Sequence, residues 1–255
     1  MIAFFSRPLR VIAILALVGV VGAGVWLWQR AHSSTPASAT AAVAEYRGGA
    51  PVAEERPGVP RGGVYTFRQE GRETGGGTGV SLSRELPDRA VYVITPTADG
   101  YREELRHSEE HVEEVRFRVD RKVARAEWRR TKITFLGVGA DEEADQAPPP
   151  VDHPNAPKVG DTWSGSYRSG ETPVTFRAEA VRRERVVLDG REVAAVVLRT
   201  ESETGEPNPG SRVDEVWWAP SLSLPVRWTI RQEVGGSTTF DMDATLILES
   251  AEPRT

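Results

Sequence analysis

The sequence predicts an all-β protein made of antiparallel strands, and three observations support this fold class. Short runs of β-branched and aromatic residues alternate with polar residues, which is typical of strands with one buried face. Turn-forming residues separate these runs, as expected for hairpin connections. Two stretches of the chain also share the same order of motifs. We therefore expect an antiparallel curved sheet, half-barrel or sandwich built from two similar halves, preceded by one N-terminal transmembrane helix.

The transmembrane prediction concerns residues 11–28, which contain no charged side chain. As a helix that rises 1.5 Å per residue, this segment would reach about 27 Å, close to the thickness of the hydrocarbon core of a membrane. Arg7 and Arg10 precede it and Arg30 follows it, so the positive excess indicates a cytoplasmic N-terminus and an exported C-terminal part. Residues 1–30 are thus predicted as a cytoplasmic tip and a single-pass helix in the cytoplasmic membrane. Secretion after cleavage as a signal peptide is the alternative.

The rest of the chain divides by composition. Residues 31–60 are rich in Ala, Ser, Pro and Gly with almost no large apolar residue, so we expect a flexible tether. Residues 61–255 are predicted to form the extracytoplasmic β domain, with half-repeats at about residues 61–137 and 158–250.

The predicted strands follow the alternating runs in chain order. In the first half they cover residues 63–70, 80–86, 90–95, 101–106, 112–119 and 125–135. A proline-rich stretch at residues 141–161 is read as a break between the halves. In the second half the strands cover residues 162–167, 174–181, 185–188, 193–200, 213–218, 224–233 and 239–249.

An ordered set of motifs indicates the duplication. In the first half an Asp-Gly turn is followed by YREELR, HVEEVRF and then Trp128. In the second half an Asp-Gly turn is followed by REVAAVVLR, RVDEVWW and then Trp228. The halves therefore predict equivalent hairpins at equivalent positions.

The stretch HSEEH, residues 107–111, has the H-x-x-E-H pattern of a zinc-peptidase helix. That chemistry needs His107 and His111 one helical turn apart, with Glu110 beside them as general base. Spacings of three and four between apolar residues in this region are compatible with a helix. Such a site would make the protein a metal-dependent hydrolase, and an Asp, a Glu or another histidine would supply a further ligand to the metal.

The second half favours a different interpretation of HSEEH. Its equivalent stretch contains two prolines and two glycines, which exclude an uninterrupted helix and indicate a hairpin loop. HSEEH is then a shorter polar hairpin that joins two strands. We accordingly predict no catalytic residue, no cofactor and no metal, with His107, Glu110 and His111 kept as the only candidate metal ligands.

Charge and composition exclude several other classes. The chain has 37 acidic and 32 basic residues, and three arginines precede the first acidic residue, so the exported part has no electrostatic reason to bind nucleic acid. The absence of cysteine excludes disulfides and thiolate ligands. No G-x-S-x-G motif of a serine hydrolase is present.

Two further stretches predict structure rather than function. The glycine-rich residues 71–79 predict a hairpin loop. The glutamates among residues 103–114 predict cross-strand ion pairs with neighbouring arginines.

The tryptophan-rich segment at residues 214–228, DEVWWAPSLSLPVRW, is the most distinctive stretch. Trp217 and Trp218 are neighbours on a predicted strand and must point to opposite faces of the sheet. Either both faces are covered, or one lines an apolar groove formed by Trp217, Trp218, Leu224 and Trp228.

This segment and VGDTWSGSY at residues 159–167 resemble the TapB-like exported β proteins of unknown function, with their G-D-x-W and W-x-A-P-x-L-x-L-P-V-R motifs. The resemblance is specific over residues 159–234 and implies an extracytoplasmic antiparallel β domain. It implies no catalytic residues. We expect a non-enzymatic domain that binds an envelope component or a partner protein. A carrier of lipid or another apolar ligand is the alternative.

Overall fold

The computed structural model describes residues 34–49, 56–77, 80–135, 138–236 and 238–255. Within these ranges the chain forms a 14-stranded antiparallel sheet and one short helix, α1, at Ala39–Gly49. The all-β, antiparallel prediction is therefore confirmed.

The strands follow one another along the chain and are numbered in that order. They are β1 Gly63–Gly77, β2 Val80–Glu85, β3 Arg89–Pro96, β4 Gly100–Arg106, β5 His111–Val119, β6 Val123–Phe135, β7 Val138–Asp145, β8 Val151–Pro154, β9 Thr162–Ser169, β10 Thr172–Leu188, β11 Arg191–Thr204, β12 Gly210–Ala219, β13 Leu224–Val234 and β14 Thr238–Leu248.

The sheet curls into a nearly closed barrel. Its strand order is β7-β6-β5-β4-β3-β1-β14-β13-β12-β11-β10-β9, with β2 paired to β1 and β8 paired to β6. The two end strands, β7 and β9, lie side by side. Gln146, just after β7, bridges them: its amide donates to the carbonyl of Arg168 at 2.9 Å, and its side-chain oxygen accepts from the amide of Arg168 at 2.8 Å. This pair of bonds joins the two ends of the sheet.

The main apolar core joins the first half of the chain to the last strands. Tyr65 and Phe67 on β1 and Tyr92 on β3 are almost fully buried, and the rings of Phe67 and Tyr92 meet edge to face at 5.7 Å. Met242 and Leu246 on β14 belong to the same cluster. Because β1 pairs with β14, the first and last strands of the domain share this core.

The predicted transmembrane helix at residues 11–28 lies outside the described residues. None of the helices in the described ranges is long and apolar enough to cross a membrane.

Part of the predicted tether is helical. Ser38 caps α1, since its hydroxyl oxygen accepts from the amide of Ala41 at 3.2 Å. Ala42 is buried against Val64 and Val91 of the sheet. The alanines that left this segment without large apolar residues also favour a helix, and small side chains let it lie close to β1 and β3. The structure thus differs from the tether prediction over residues 39–49.

Two strands lie where a break was predicted. β7 has the sequence VGADEEAD, which lacks apolar alternation, and β8 follows three consecutive prolines. Both strands pair with β6 through backbone hydrogen bonds. Arg130 adds a bidentate bond to Asp141 of β7, with both distances 2.7 Å. These strands are held by their neighbour rather than by an apolar face of their own.

The glycine-rich loop prediction was wrong for residues 71–77, which extend β1. This stretch pairs with β14 on one side and β2 on the other. Glycine permits the close approach: Gly71 has φ +141°, and a Cβ there would lie 2.1 Å from the carbonyl oxygen of Asp243.

Candidate functional site in the barrel interior

HSEEH forms a hairpin turn between β4 and β5, as the duplication argument predicts. The amide of His107 donates to the carbonyl of His111 at 3.0 Å. The hydroxyl of Ser108 accepts from the amides of Glu110 and His111 at 3.2 and 3.0 Å. The helix that a zinc-peptidase motif requires is therefore not formed.

Glu110 points away from the two histidines. Its carboxylate accepts bonds from the amide and the hydroxyl of Thr35, at 3.0 and 2.6 Å. The amide of Glu109 also donates to the carbonyl of Thr35 at 3.0 Å. Glu110 thus holds the segment before α1 against the turn, and it cannot act on a group bound by the histidines.

The hairpin nevertheless brings the histidines together. His107 and His111 are fully buried, and their ring centroids lie 4.7 Å apart. Glu113, two residues further along β5, faces both rings. Its Oε1 atom lies 3.5 Å from Nε2 of His111 and 4.0 Å from Nε2 of His107. These three side chains are referred to below as the histidine cluster.

Gln69 of β1 fixes the orientation of His107. Its amide nitrogen donates to the carbonyls of Pro87 and His107, both at 3.0 Å. Its oxygen must then face Nδ1 of His107, which it approaches at 2.7 Å. Because this oxygen can only accept, Nδ1 carries the hydrogen and Nε2 presents a lone pair. No hydrogen-bond partner for that Nε2 exists among the described residues.

Glu73 of β1 fixes His111 in the same way. Its Oε2 atom lies 2.7 Å from Nδ1 of His111, while its Oε1 atom accepts from Nε of Arg84 at 2.6 Å. Glu73 is fully buried, and the side chain of Arg84 is 4% exposed. The carboxylate therefore has one partner for each oxygen.

The surroundings shift the pKa values of the two histidines in opposite directions. Burial alone would lower the pKa of His111, but hydrogen bonds and the negative charges of Glu113 and Glu73 outweigh it and raise the pKa. Burial lowers the pKa of His107, and the neighbouring positive charge of His111 lowers it further. Burial would raise the pKa of Glu73, yet the bond to His111 and the charge of Arg84 bring it below its usual range. One imidazole is thus neutral and the other sits between two carboxylates.

Glu113 connects the histidine cluster to an adjoining cavity. Arg212 donates to Oε1 of Glu113 at 2.9 Å and forms a bidentate pair with Asp214 at 2.9 and 3.1 Å. Asp214 also accepts from the indole of Trp228 at 2.8 Å. Glu113, Arg212, Asp214 and Trp228 all line this cavity of about 240 Å³.

The four residues of the predicted apolar groove separate in the structure. Trp218 and Trp228 line the cavity. Trp217 and Leu224 belong to the main apolar core. Trp217 is 4% exposed, and its indole donates to Glu184 at 2.7 Å. Both faces of the β12 strand are therefore covered at its tryptophan pair.

Charged and polar groups also border the cavity, and His153 packs against Trp218 with ring centroids 4.3 Å apart. Arg129 contacts Asp152, and His153 lies 3.0 Å from the other oxygen of that carboxylate. Glu103 bonds to the hydroxyl of Tyr92. Burial, reinforced by the nearby charge of Asp152, raises the pKa of Glu103 to about 8. The cavity therefore has charged and polar walls as well as apolar ones, unlike an apolar groove.

The predicted cross-strand ion pairs occur on one face only. Glu114 of β5 pairs with Arg102 of β4 and lies 3.0 Å from Arg130 of β6. Glu103 and Glu113, on the same strands, face the interior instead. Alternation along β4 and β5 therefore divides the acidic run between the two faces of the sheet.

Sequence reasoning missed Gln69, Glu73, Glu113 and Arg212. For Glu113 a signal was present: the alternation that turns Val115 and Phe117 inward also turns Glu113 and His111 inward. Gln69 and Glu73 come from a strand that contacts the histidines 38 residues away in the chain. No local pattern indicates that contact.

The fold and the interior define an antiparallel β barrel with buried polar groups beside a cavity. No family model matches the chain, and no curated protein matches its sequence. Among solved structures it is similar to the hypothetical lipoprotein YmcC from Escherichia coli K12, with a TM-score of 0.35 and 13% sequence identity. The similarity covers 74% of this chain and 85% of the lipoprotein. A TM-score this low supports no conclusion about function.

Proposed function

We propose that the protein is a non-enzymatic binding domain of the cell envelope whose barrel cavity holds a small ligand with a positively charged amine. The excess of carboxylates over guanidinium groups in the lining is the observation that carries this proposal. The apolar residues 11–28 and the arginines before them support anchoring in the cytoplasmic membrane with the barrel outside. Secretion after cleavage is the alternative for its location.

The charge of the lining favours a cation. Its interior carboxylates come from Glu103, Glu113, Glu142, Asp152 and Asp214, and burial keeps Glu103 protonated at neutral pH, which leaves four negative charges. Its interior guanidinium groups come from Arg129 and Arg212. Interactions in a partly enclosed, low-dielectric space are stronger than in water, so this imbalance attracts positive charge and repels anions.

The indoles of the lining suit the same ligand. Trp218 and Trp228 both border the cavity, and an indole face attracts a cation through its quadrupole, with about 0.5–2 kcal/mol for each contact. The volume of about 240 Å³ lies below the range of roughly 300–1000 Å³ for drug-sized ligands, which indicates a small molecule.

A carrier of lipid or another apolar ligand is the second candidate. Val174, Phe176 and Leu198 add apolar surface to the lining beside the indoles. An acyl chain would contact these residues but would leave the net negative charge of the lining uncompensated, which costs free energy. This is why the amine-bearing ligand ranks first.

Thermal unfolding of the full-length protein in a mild detergent tests the proposal. Choline and putrescine should raise the unfolding temperature, since a ligand that binds only the folded state stabilises it, whereas succinate should not. Asp214→Asn should weaken the effect, and Glu192→Gln, on the exposed surface, should leave it unchanged. An equal response to succinate, or none to either amine, contradicts the proposal. A lipid adduct in native mass spectrometry supports the carrier instead.

We also infer that the two halves of the barrel derive from a duplication. The register shifts by one residue between Arg116 and Phe117 on β5, and between Trp217 and Trp218 on β12. These are the positions that the motif HVEEVRF shares with RVDEVWW. Bulges that recur at matched positions support a common origin, because they are inherited features of a strand rather than random irregularities.

A further inference from the structure

We propose that His107, His111 and Glu113 form a binding site for one divalent transition-metal ion of the zinc class. This goes beyond the proposed function, which concerns the neighbouring cavity and needs no metal. The ligands are two imidazoles and one carboxylate, the third coming from Glu113 rather than from the Glu110 of the H-x-x-E-H pattern.

The distances suit a tetrahedral ion. Zinc bonds of about 2.1 Å at tetrahedral angles separate neighbouring ligand atoms by roughly 3.4 Å. Oε1 of Glu113 lies 3.5 Å from one Nε2 atom and 4.0 Å from the other. All three candidate ligand atoms lie within 4.8 Å of one another. Closing these separations to roughly 3.4 Å requires shortening the longest of them by up to about 1.4 Å.

The two Nε2 atoms are already oriented toward this point. Each histidine has its Nδ1 engaged by an acceptor, Gln69 for His107 and Glu73 for His111, at 2.7 Å in both cases. Metal-binding histidines are oriented in this way by an acceptor at the nitrogen that does not bind the metal. Both Nε2 atoms are buried, and neither has a hydrogen-bond partner among the described residues.

The charges around the histidine cluster suit a cation as well. Glu73 faces Nδ1 of His111, and Glu113 faces its Nε2. Nε2 of His111 faces Oε1 of Glu113 at 3.5 Å, a contact that a proton on Nε2 makes favourable in the metal-free protein, and a metal ion would take the place of that proton. Arg212 also donates to Oε1 of Glu113, and a bound ion would share or displace this bond.

The ligand types define the class of metal. Imidazole and carboxylate ligands without thiolate suit zinc, cobalt, nickel and iron rather than calcium or magnesium, which prefer oxygen ligands. Three protein ligands leave at least one coordination position for water or a small molecule.

Metal content of the full-length protein tests the site. After equilibration with Zn²⁺ and removal of free ion, inductively coupled plasma mass spectrometry should find about one zinc per chain. His107→Gln, His111→Gln and Glu113→Gln should each lower the retained zinc at least tenfold. Two matched controls should retain it: His153→Gln, which removes another buried histidine, and Glu110→Gln, which removes the acid of the sequence motif.

If a variant fails to fold, the absorption spectrum of the wild-type protein loaded with Co²⁺ still tests whether the histidine cluster binds a metal ion. Four-coordinate Co²⁺ with imidazole ligands should give visible bands that Zn²⁺ abolishes by competition. Wild-type protein that binds neither ion overturns the proposal and leaves a buried network of ion pairs as the role of the cluster. Loss of zinc in Glu110→Gln but not in Glu113→Gln also overturns it. The amine ligand is tested separately, by thermal unfolding.

Discussion

Replacement of Arg84 by methionine should be one of the most destabilising single changes in the barrel. Arg84 and Glu73 are joined at 2.6 and 2.5 Å, with side chains 4% and 0% exposed. Without Arg84 the carboxylate of Glu73 keeps only His111 as a partner. Removal of one member of a buried pair costs about 3–5 kcal/mol, because the remaining charge is left uncompensated. The guanidinium also lies 4.1 Å from the ring centre of Phe135, which adds on the order of 1 kcal/mol.

Urea unfolding followed by tryptophan fluorescence measures this cost. Arg185→Met is the matched control, since Arg185 pairs with Glu192 at 2.7 Å but both side chains are more than half exposed. Its loss should cost about 0–1 kcal/mol. The double change Glu73→Gln with Arg84→Met should cost less than the two single changes added together. A cost for Arg84→Met no larger than that for Arg185→Met would refute the reasoning.

Two further predictions concern pH and backbone geometry. Because the folded state raises the pKa of Glu103 to about 8, its contribution to stability is complete below the unfolded value and is lost as pH rises through 8. Glu103→Gln should therefore make the decline in unfolding free energy between pH 5 and 8 less steep, by about 1 kcal/mol per pH unit, while Glu104→Gln keeps the original slope. Gly71→Ala should lower the unfolding free energy by more than about 2 kcal/mol, because its Cβ would clash with the carbonyl of Asp243. Gly48→Ala, with open space around its Cβ, should not.

The fold was predictable from the sequence wherever strands carry an apolar face. Alternation located β1 to β6 and β9 to β14, although it split β10 in two, because that strand has a register shift between Ala180 and Arg182. It could not locate β7 and β8. These strands are stabilised by backbone pairing with β6, which leaves no trace in their own composition.

The candidate site was predictable only in part. The H-x-x-E-H spacing drew attention to His107 and His111, but for a helix that is not formed. In a hairpin, the alternation of side chains along β5 determines which carboxylate lies beside the two histidines. That carboxylate belongs to Glu113 instead of Glu110. The contacts of Gln69 and Glu73 with the histidines depend on how β1 lies relative to the turn between β4 and β5. Such packing follows from the whole fold and not from any local stretch of residues.

A crystal structure of the full-length protein, purified without added ligand, tests most directly whether the barrel interior is a binding site. We predict electron density not explained by protein in the cavity, against the indole of Trp218 or Trp228 and within hydrogen-bond distance of a lining carboxylate such as Asp214. A cavity that is filled by protein side chains or holds only water would contradict the account.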